Sequence, residues 1–124
     1  MPTKTIMLID DDSVNNFVNK RLLLRYDKSL NIQAYESGQE ALKELILPDA
    51  SHPDLILLDL NMPEMNGWHF LQEYMKYKFD KTRVFLLTSS IDFRDKEKSQ
   101  TFPVIEGFIS KPLDQSKIGK ILSK

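Results

Sequence analysis

Acidic side chains follow two of the apolar segments of this chain, and a hydroxyl group and a lysine follow two others. Asp10 and Asp11 come directly after the first apolar segment, and Asp59 comes directly after the third. Thr88 follows the fourth segment, and Lys111 comes two residues after the fifth. If the fold brings these side chains together, they have the chemistry to bind a divalent cation and a phosphoryl group.

Five short apolar segments predict five β-strands. Three of them are continuous and do not alternate with polar residues, which is typical of strands that are covered on both faces. Stretches with the apolar spacing of helices separate the segments, and strands that alternate with helices predict a parallel sheet with right-handed crossovers. The predicted strands are Thr5–Ile9, Asn31–Tyr35, Leu55–Leu58, Val84–Leu87 and Gly107–Ile109.

The predicted helices have apolar stripes that we expect to face the sheet. We expect Asp12 or Ser13 to cap the first helix, because both residue types favour that position. Residues 92–100 are so polar that they predict a short, weakly packed helix, and Pro103 ends any helix there. The stripes are Val14, Phe17, Val18 and Leu22; Ala41, Leu42, Leu45 and Ile46; Trp68, Leu71 and Met75; and Leu113, Ile118, Ile121 and Leu122.

The acids after the strands indicate a cation site. Ligands of an open α/β sheet bind at the carboxyl ends of its strands, where these acids would meet. A single acid there is often only a helix cap. Two carboxylates about 4 Å apart, however, repel by about 4 kcal/mol at an effective dielectric constant near 20. Lys111 alone cannot neutralise Asp10, Asp11 and Asp59, and an all-oxygen set with room for water and phosphate favours Mg²⁺.

Composition excludes several other classes of protein. The chain has 124 residues, 41% of them hydrophobic and 28% charged, as in a single globular domain. A net charge of −1 argues against nonspecific nucleic-acid binding, and the absence of cysteine excludes disulfides and thiolate metal sites. The longest apolar runs are far shorter than the ~20 residues of a membrane span, and no signal-peptide core precedes the first strand. We therefore expect one cytoplasmic domain, residues 1–124, with no appended output domain.

Four motifs carry a family resemblance that extends over essentially the whole chain. They are IMLIDDD (6–12), LILLDLNMPEMNG (55–67), VFLLTSS (84–90) and FISKPL (108–113). In this order and spacing they resemble the receiver domains of two-component response regulators, of which the bacterial chemotaxis receiver is an example. The resemblance implies a doubly wound (βα)5 fold of the flavodoxin-like type.

The resemblance also implies an acceptor and its metal ligands. Asp59 would accept the phosphoryl group. Mg²⁺ would be held by Asp59, by Asp11 directly, by Asp10 mainly through water, and by the backbone carbonyl of Asn61. Asp12 is not expected in this set.

Three further residues receive roles from the resemblance. Thr88 would donate a hydrogen bond to the phosphoryl group, and Lys111 would pair with another of its oxygens. Phe108 would turn inward as the switch residue, although this position is commonly tyrosine; the alternative is that Phe108 is only a core aromatic. The bond before Pro112 would be cis. The output surface would comprise the fourth helix, fifth strand and fifth helix.

Together these features predict a stand-alone receiver that a histidine kinase or a phosphotransfer protein phosphorylates and that controls a downstream protein effector. We expect no direct DNA binding, no membrane association and no turnover of an external metabolite. An aspartyl phosphatase on a similar sheet is one alternative, but that class needs an acid where Asn61 stands. The other alternative is a receiver-like module that binds proteins without phosphorylation.

Overall fold

Five parallel strands and five helices make up the part of the chain that the structure describes. The structure is a computed structural model that describes residues 4–47, 52–60, 62, 66–77, 82–89 and 93–122. The strands are β1 (Thr5–Ile9), β2 (Asn31–Tyr35), β3 (Leu55–Asp59), β4 (Arg83–Thr88) and β5 (Ile105–Ser110). The helices are α1 (Ser13–Tyr26), α2 (Gly38–Leu45), α3 (Gly67–Met75), α4 (Phe93–Ser99) and α5 (Gln115–Leu122).

The sheet has the order β2-β1-β3-β4-β5, and all four neighbouring pairs are parallel. This order confirms the predicted doubly wound α/β fold. Three strands are longer than their apolar segments predicted. Asp59 is the last residue of β3, where it pairs with Leu87, and Thr88 is the last residue of β4, where it pairs with Ser110. The ladder of main-chain hydrogen bonds thus continues past the last apolar side chain.

Two apolar clusters lie on opposite faces of the sheet, because successive side chains of a strand point to opposite sides. Met7 and Ile9 belong to one cluster, and Ile6 and Leu8 belong to the other. Helices α2 and α3 supply the first cluster with Ala41, Leu42, Leu45, Trp68, Phe70, Leu71 and Tyr74. Helices α1 and α5 supply the second with Leu23, Ile118 and Ile121.

Three of the four residues in the predicted stripe of helix α1 face away from the sheet, so this part of the sequence prediction was wrong for them, whereas Leu22 packs against the cluster that α1 and α5 supply. Val14, Phe17 and Val18 are 65%, 59% and 46% exposed. Asn16 is buried instead, and its amide donates to the main-chain oxygen of Asp10. The start of α1 passes over main-chain carbonyls at the strand ends, and buried carbonyls require donors rather than methyl groups.

Two other residues of the predicted stripes lie at helix ends and are also exposed: Ile46 by 43% and Met75 by 36%. Helix α4 is seven residues long, and its described side chains, 94–99, are exposed or half-buried, which confirms the short polar helix. None of the helices in the described ranges has the length and hydrophobicity of a transmembrane segment.

Candidate functional site

Three carboxylates meet at the carboxyl ends of β1 and β3. These strands are neighbours, and Ile9 pairs with Leu58, so the residues that follow each strand lie at the same edge. One oxygen each of Asp10, Asp11 and Asp59 lies within 4.8 Å of the other two. Asp10 and Asp59 are buried, whereas Asp11 is exposed. The structure therefore brings together the acids that the sequence predicted.

Lys111 reaches this acidic cluster from the end of β5. Its Nζ lies 3.1 Å from Oδ1 of Asp59 and 3.7 Å from Oδ2 of Asp10. Its main-chain N–H donates to the carbonyl oxygen of Thr88 at 2.8 Å, which fixes the lysine beside the end of β4. The bond from Lys111 to Pro112 is cis, as expected. Three carboxylates and one ammonium group leave an excess of negative charge in the cluster.

The surroundings of Asp10 disfavour the ionised form of its carboxyl. Burial raises the pKa of its carboxyl above the ordinary value, and the carboxylates of Asp59 and Asp11 raise it further. A hydrogen bond from the main-chain N–H of Asp12 to Oδ1, 2.9 Å long, and the charge of Lys111 oppose this shift. Oδ2 of Asp10 is buried and accepts no hydrogen bond from the described residues.

This donor set fits Mg²⁺. The cation prefers carboxylate oxygens, and a buried carboxylate oxygen without a hydrogen-bond donor is a position where a cation would be stabilised. Asp10, Asp11 and Asp59 each offer one carboxylate oxygen, and Oδ2 of Asp10 is the buried oxygen that lacks a donor among the described residues. Asn61, the fourth predicted ligand, lies outside the described residues.

Thr88 and Phe108 lie on the same face of the sheet. Thr88 of β4 pairs with Ser110 of β5. Two residues earlier on each strand, Leu86 of β4 pairs with Phe108 of β5. Thr88 and Phe108 are therefore diagonal neighbours, since residues two apart on a strand share a face. Thr88 is buried at the site, whereas Phe108 is half-buried and packs against the cluster that α2 and α3 supply.

Gly67 lets α3 begin directly against the end of β3. A methyl group at this position would lie 3.0 Å from the main-chain oxygen of Asp59 and 3.0 Å from Cα of Leu60. The N–H of Gly67 donates to the carbonyl of Leu60 at 3.0 Å, and Asn66 caps the helix by accepting from the N–H of His69. A side chain at position 67 would push against the backbone that carries Asp59.

Helix α1 begins three residues after Asp10. Asp12 is its N-cap and accepts hydrogen bonds from the N–H groups of Val14 and Asn15, which confirms one of the two predicted caps. The sequence assigned no role to Asn16 or Gly67. The signal for Asn16 was its position on the side of α1 opposite the predicted apolar stripe.

A family model of the response regulator receiver domain matches residues 6–123. The chain belongs to this family. Two solved structures of two-component response regulators are similar. The one from Legionella pneumophila is 32% identical, with a TM-score of 0.87 over 98% of this chain and 96% of that chain. The one from Cytophaga hutchinsonii is 30% identical, with a TM-score of 0.88 over 99% and 96%.

Among curated relatives, the sensor histidine kinase CheAY of Helicobacter pylori is 32% identical over 110 residues, which are 86% of this chain and 13% of that protein. The chain spans less than half of the length of the first curated relatives that it matches. Receiver domains are signalling switches of two-component systems rather than metabolic enzymes, and phosphorylation of an aspartate is typical of the family. They bind Mg²⁺ at an acidic pocket and interact with histidine kinases and downstream effectors.

Proposed function

We propose that this receiver accepts a phosphoryl group on Asp59, in the presence of Mg²⁺, from a histidine kinase or a phosphotransfer protein, and so controls a downstream protein. The supporting observation is the environment of Asp59. Its buried carboxylate has Lys111 Nζ 3.1 Å from one oxygen and two further carboxylates within 4.8 Å. We place the protein in the cytoplasm, because histidine kinases form phosphohistidine from the ATP found there.

The predicted site residues divide the chemistry of transfer among them. An oxygen of Asp59 attacks phosphorus, and as the new O–P bond forms, the P–N bond of the donor histidine breaks and its electron pair leaves with the imidazole. Lys111 neutralises the charge on the phosphoryl oxygens, and Thr88 donates a hydrogen bond to one of them. Mg²⁺, held by Asp10, Asp11, Asp59 and the carbonyl of Asn61, would supply further charge neutralisation. Attack of water on phosphorus later releases phosphate and restores the carboxylate.

The exposed side of α1 supports a protein donor. This α1 patch combines apolar and basic side chains, and Arg21 lies with its guanidinium 5.8 Å from the centre of the Phe17 ring. The helix starts at the site, so a donor that packs on the patch would present its phosphohistidine near Asp59. Apolar contact and positive charge suit a protein that carries a phosphoryl group. The α1 patch consists of Val14, Phe17, Val18, Arg21 and Arg25.

The output would pass through Thr88 and Phe108 to the surface of α4, β5 and α5. When Thr88 turns toward the phosphoryl group, it vacates space on the face of the sheet that it shares with Phe108, and the phenylalanine ring moves inward. Phe108 also lines a cleft of about 500 Å³ beside Lys117 and Ile121 of α5. Movement of the ring therefore changes the shape of a surface that an effector protein can contact.

The first test uses beryllofluoride, a noncovalent mimic of the phosphoryl group. Titration into the Mg²⁺-loaded protein should change the fluorescence of the single tryptophan, Trp68. This residue is 8% exposed and stacks on Phe102 with ring centroids 5.6 Å apart, so it reports on packing near α4. Asp59→Asn should show no response. A wild type that binds neither Mg²⁺ nor beryllofluoride would favour the alternative, a receiver-like module that binds proteins without phosphorylation.

The second test asks whether a protein donor docks on the α1 patch, independently of the phosphoryl-transfer chemistry at Asp59. Phe17→Ser should slow phosphoryl transfer from a phosphorylated histidine phosphotransfer domain and leave labelling by acetyl phosphate unchanged, because the small donor needs no docking surface. Tyr77→Ser is the matched control, since Tyr77 is also exposed, by 48%, but lies just after the end of α3. Equal transfer rates for the two variants would contradict docking on the α1 patch.

A further inference from the structure

Asn16 is a buried amide where α1 crosses the ends of β1 and β2. The residue is 5% exposed, and its Nδ2 donates to the main-chain oxygens of Asp10, at 3.0 Å, and of Tyr35, at 3.3 Å. The main-chain N–H of Asp10 donates to the same Tyr35 oxygen at 3.1 Å. One amide group thus joins α1 to the ends of two strands, and one of its two acceptors is the backbone of an acid of the site.

Packing alone does not account for an asparagine at this position. Oδ1 of Asn16 is buried and has no hydrogen-bond partner among the described residues. Burying an acceptor without a donor is unfavourable, and a leucine of similar size would avoid this cost. The reversed orientation of the amide would place Oδ1 against two carbonyl oxygens, so the donors must face Asp10 and Tyr35. The property that distinguishes asparagine from leucine here is the pair of hydrogen bonds to these carbonyls.

The two hydrogen bonds oppose a repulsion inside the acidic cluster. The oxygens of Asp10, Asp11 and Asp59 lie within 4.8 Å of one another, and without Mg²⁺ the like charges favour moving apart. Asp10 is held at its N–H by Tyr35, at its carbonyl by Asn16 and at Oδ1 by the N–H of Asp12. The backbone of Asp10 therefore stays in place while Oδ2 remains unsatisfied.

We infer that Asn16 is a positioning residue for Mg²⁺: by clamping the backbone of Asp10 to β2, it holds the carboxylates close together before the cation binds. The inference rests on the proposed Mg²⁺-dependent function. Without the clamp, binding energy must be used to draw Asp10 back toward Asp11 and Asp59, so the affinity for Mg²⁺ falls. Loss of residues that orient metal ligands typically weakens metal binding 10–100-fold. Asn16 acts through the backbone, so we expect the lower end, about tenfold.

The test measures the Mg²⁺ dissociation constant of Asn16→Leu by calorimetry and by the fluorescence of Trp68. Asn19→Leu is the matched control, because Asn19 is a half-buried asparagine of the same helix, nearly one turn farther from Asp10. Asn16→Leu should bind Mg²⁺ about tenfold more weakly than wild type, whereas Asn19→Leu should bind it as wild type does. Labelling of Asn16→Leu by acetyl phosphate should return to the wild-type rate at saturating Mg²⁺.

A second pair of variants, Asn16→Ser and Asn19→Ser, decides the question if leucine prevents folding. Serine keeps the position polar and leaves room for water, but it cannot bridge both carbonyls, so only Asn16→Ser should weaken Mg²⁺ binding. Thermal unfolding in EDTA distinguishes this positioning role from a merely structural one. A structural role would lower the midpoint of unfolding without changing the Mg²⁺ dissociation constant. Unchanged Mg²⁺ affinity in the folded Asn16 variants would overturn the inference alone. Failure of the wild type to bind Mg²⁺ would overturn the proposed function as well.

Discussion

Replacing Lys111 by methionine should destabilise the metal-free protein and strengthen its binding of Mg²⁺. At the observed 3.1 Å from Asp59, the ammonium group attracts that carboxylate by about 5 kcal/mol at an effective dielectric constant near 20. The lysine side chain is 27% exposed, so water screens part of this attraction, and removing the ammonium group from water offsets more of it. We therefore expect a net loss of about 2–3 kcal/mol in the free energy of unfolding.

The assay is urea unfolding with EDTA and, separately, with saturating Mg²⁺. The loss in the free energy of unfolding should be smaller with Mg²⁺, because the cation then neutralises the carboxylates. Lys111→Met should also bind Mg²⁺ more tightly than wild type, because no ammonium group competes with the cation. Lys117→Met is the matched control. Lys117 Nζ donates to two neutral carbonyls, of Ser110 and Pro112, each at 2.8 Å, so its loss should cost about 1 kcal/mol in either condition. Equal stabilities of wild type and Lys111→Met in EDTA would refute the electrostatic reasoning.

Two further predictions concern Asp10 and Gly67. The raised pKa of Asp10 means that the folded state holds this proton more tightly than the unfolded state, so the stability of the metal-free protein should fall as pH rises from the ordinary pKa of 3.8 through the raised value. The free energy of unfolding of Asp10→Asn should not fall over this pH range, so in EDTA at neutral pH the variant should be more stable than wild type. Identical pH profiles of unfolding for the two proteins would contradict this. Gly67→Ala should destabilise the protein by about 1–3 kcal/mol through contact with the backbone of Asp59 and Leu60. Gly119→Ala, where the added methyl would meet Tyr26 at an ordinary 3.6 Å, should be neutral or stabilising, and equal costs at the two glycines would argue against the close contact.

The sheet could be predicted because buried parallel strands leave a direct record in the sequence. Each strand needs a continuous apolar segment, and the order of strands and helices implies parallel pairing. The meeting of Asp10 and Asp59 followed from that geometry alone. The ends of the strands could not be predicted from hydrophobicity, because Asp59 and Thr88 continue the ladder through main-chain hydrogen bonds.

Helix α1 shows where spacing fails as a guide. A stripe of Val14, Phe17 and Val18 identifies one face of a helix but does not say whether that face meets the sheet or a partner. The inward face of α1 combines the apolar Leu23 with Asn16, whose amide donates to the carbonyls of Asp10 and Tyr35.

Roles that depend on main-chain neighbours are equally invisible in the sequence. Gly67 is needed because the backbones of α3 and β3 approach each other, which appears only once both elements are assembled. Asn16 likewise acts on the carbonyl of Tyr35, at the end of β2, and on the carbonyl of Asp10, just after β1. The meeting of the acids and Lys111 could be predicted because each follows a strand whose carboxyl end lies at the same edge of the sheet.

The most direct test of the central claim is the intact mass of the protein after incubation with acetyl phosphate and Mg²⁺, wild type beside Asp59→Asn. The account predicts that the wild type gains the mass of one phosphoryl group, only when Mg²⁺ is present, and that Asp59→Asn gains none. Peptide mapping should place the group on Asp59. A wild type that stays unmodified, or an Asp59→Asn variant that is modified equally, would contradict the assignment of Asp59 as the phosphoryl acceptor.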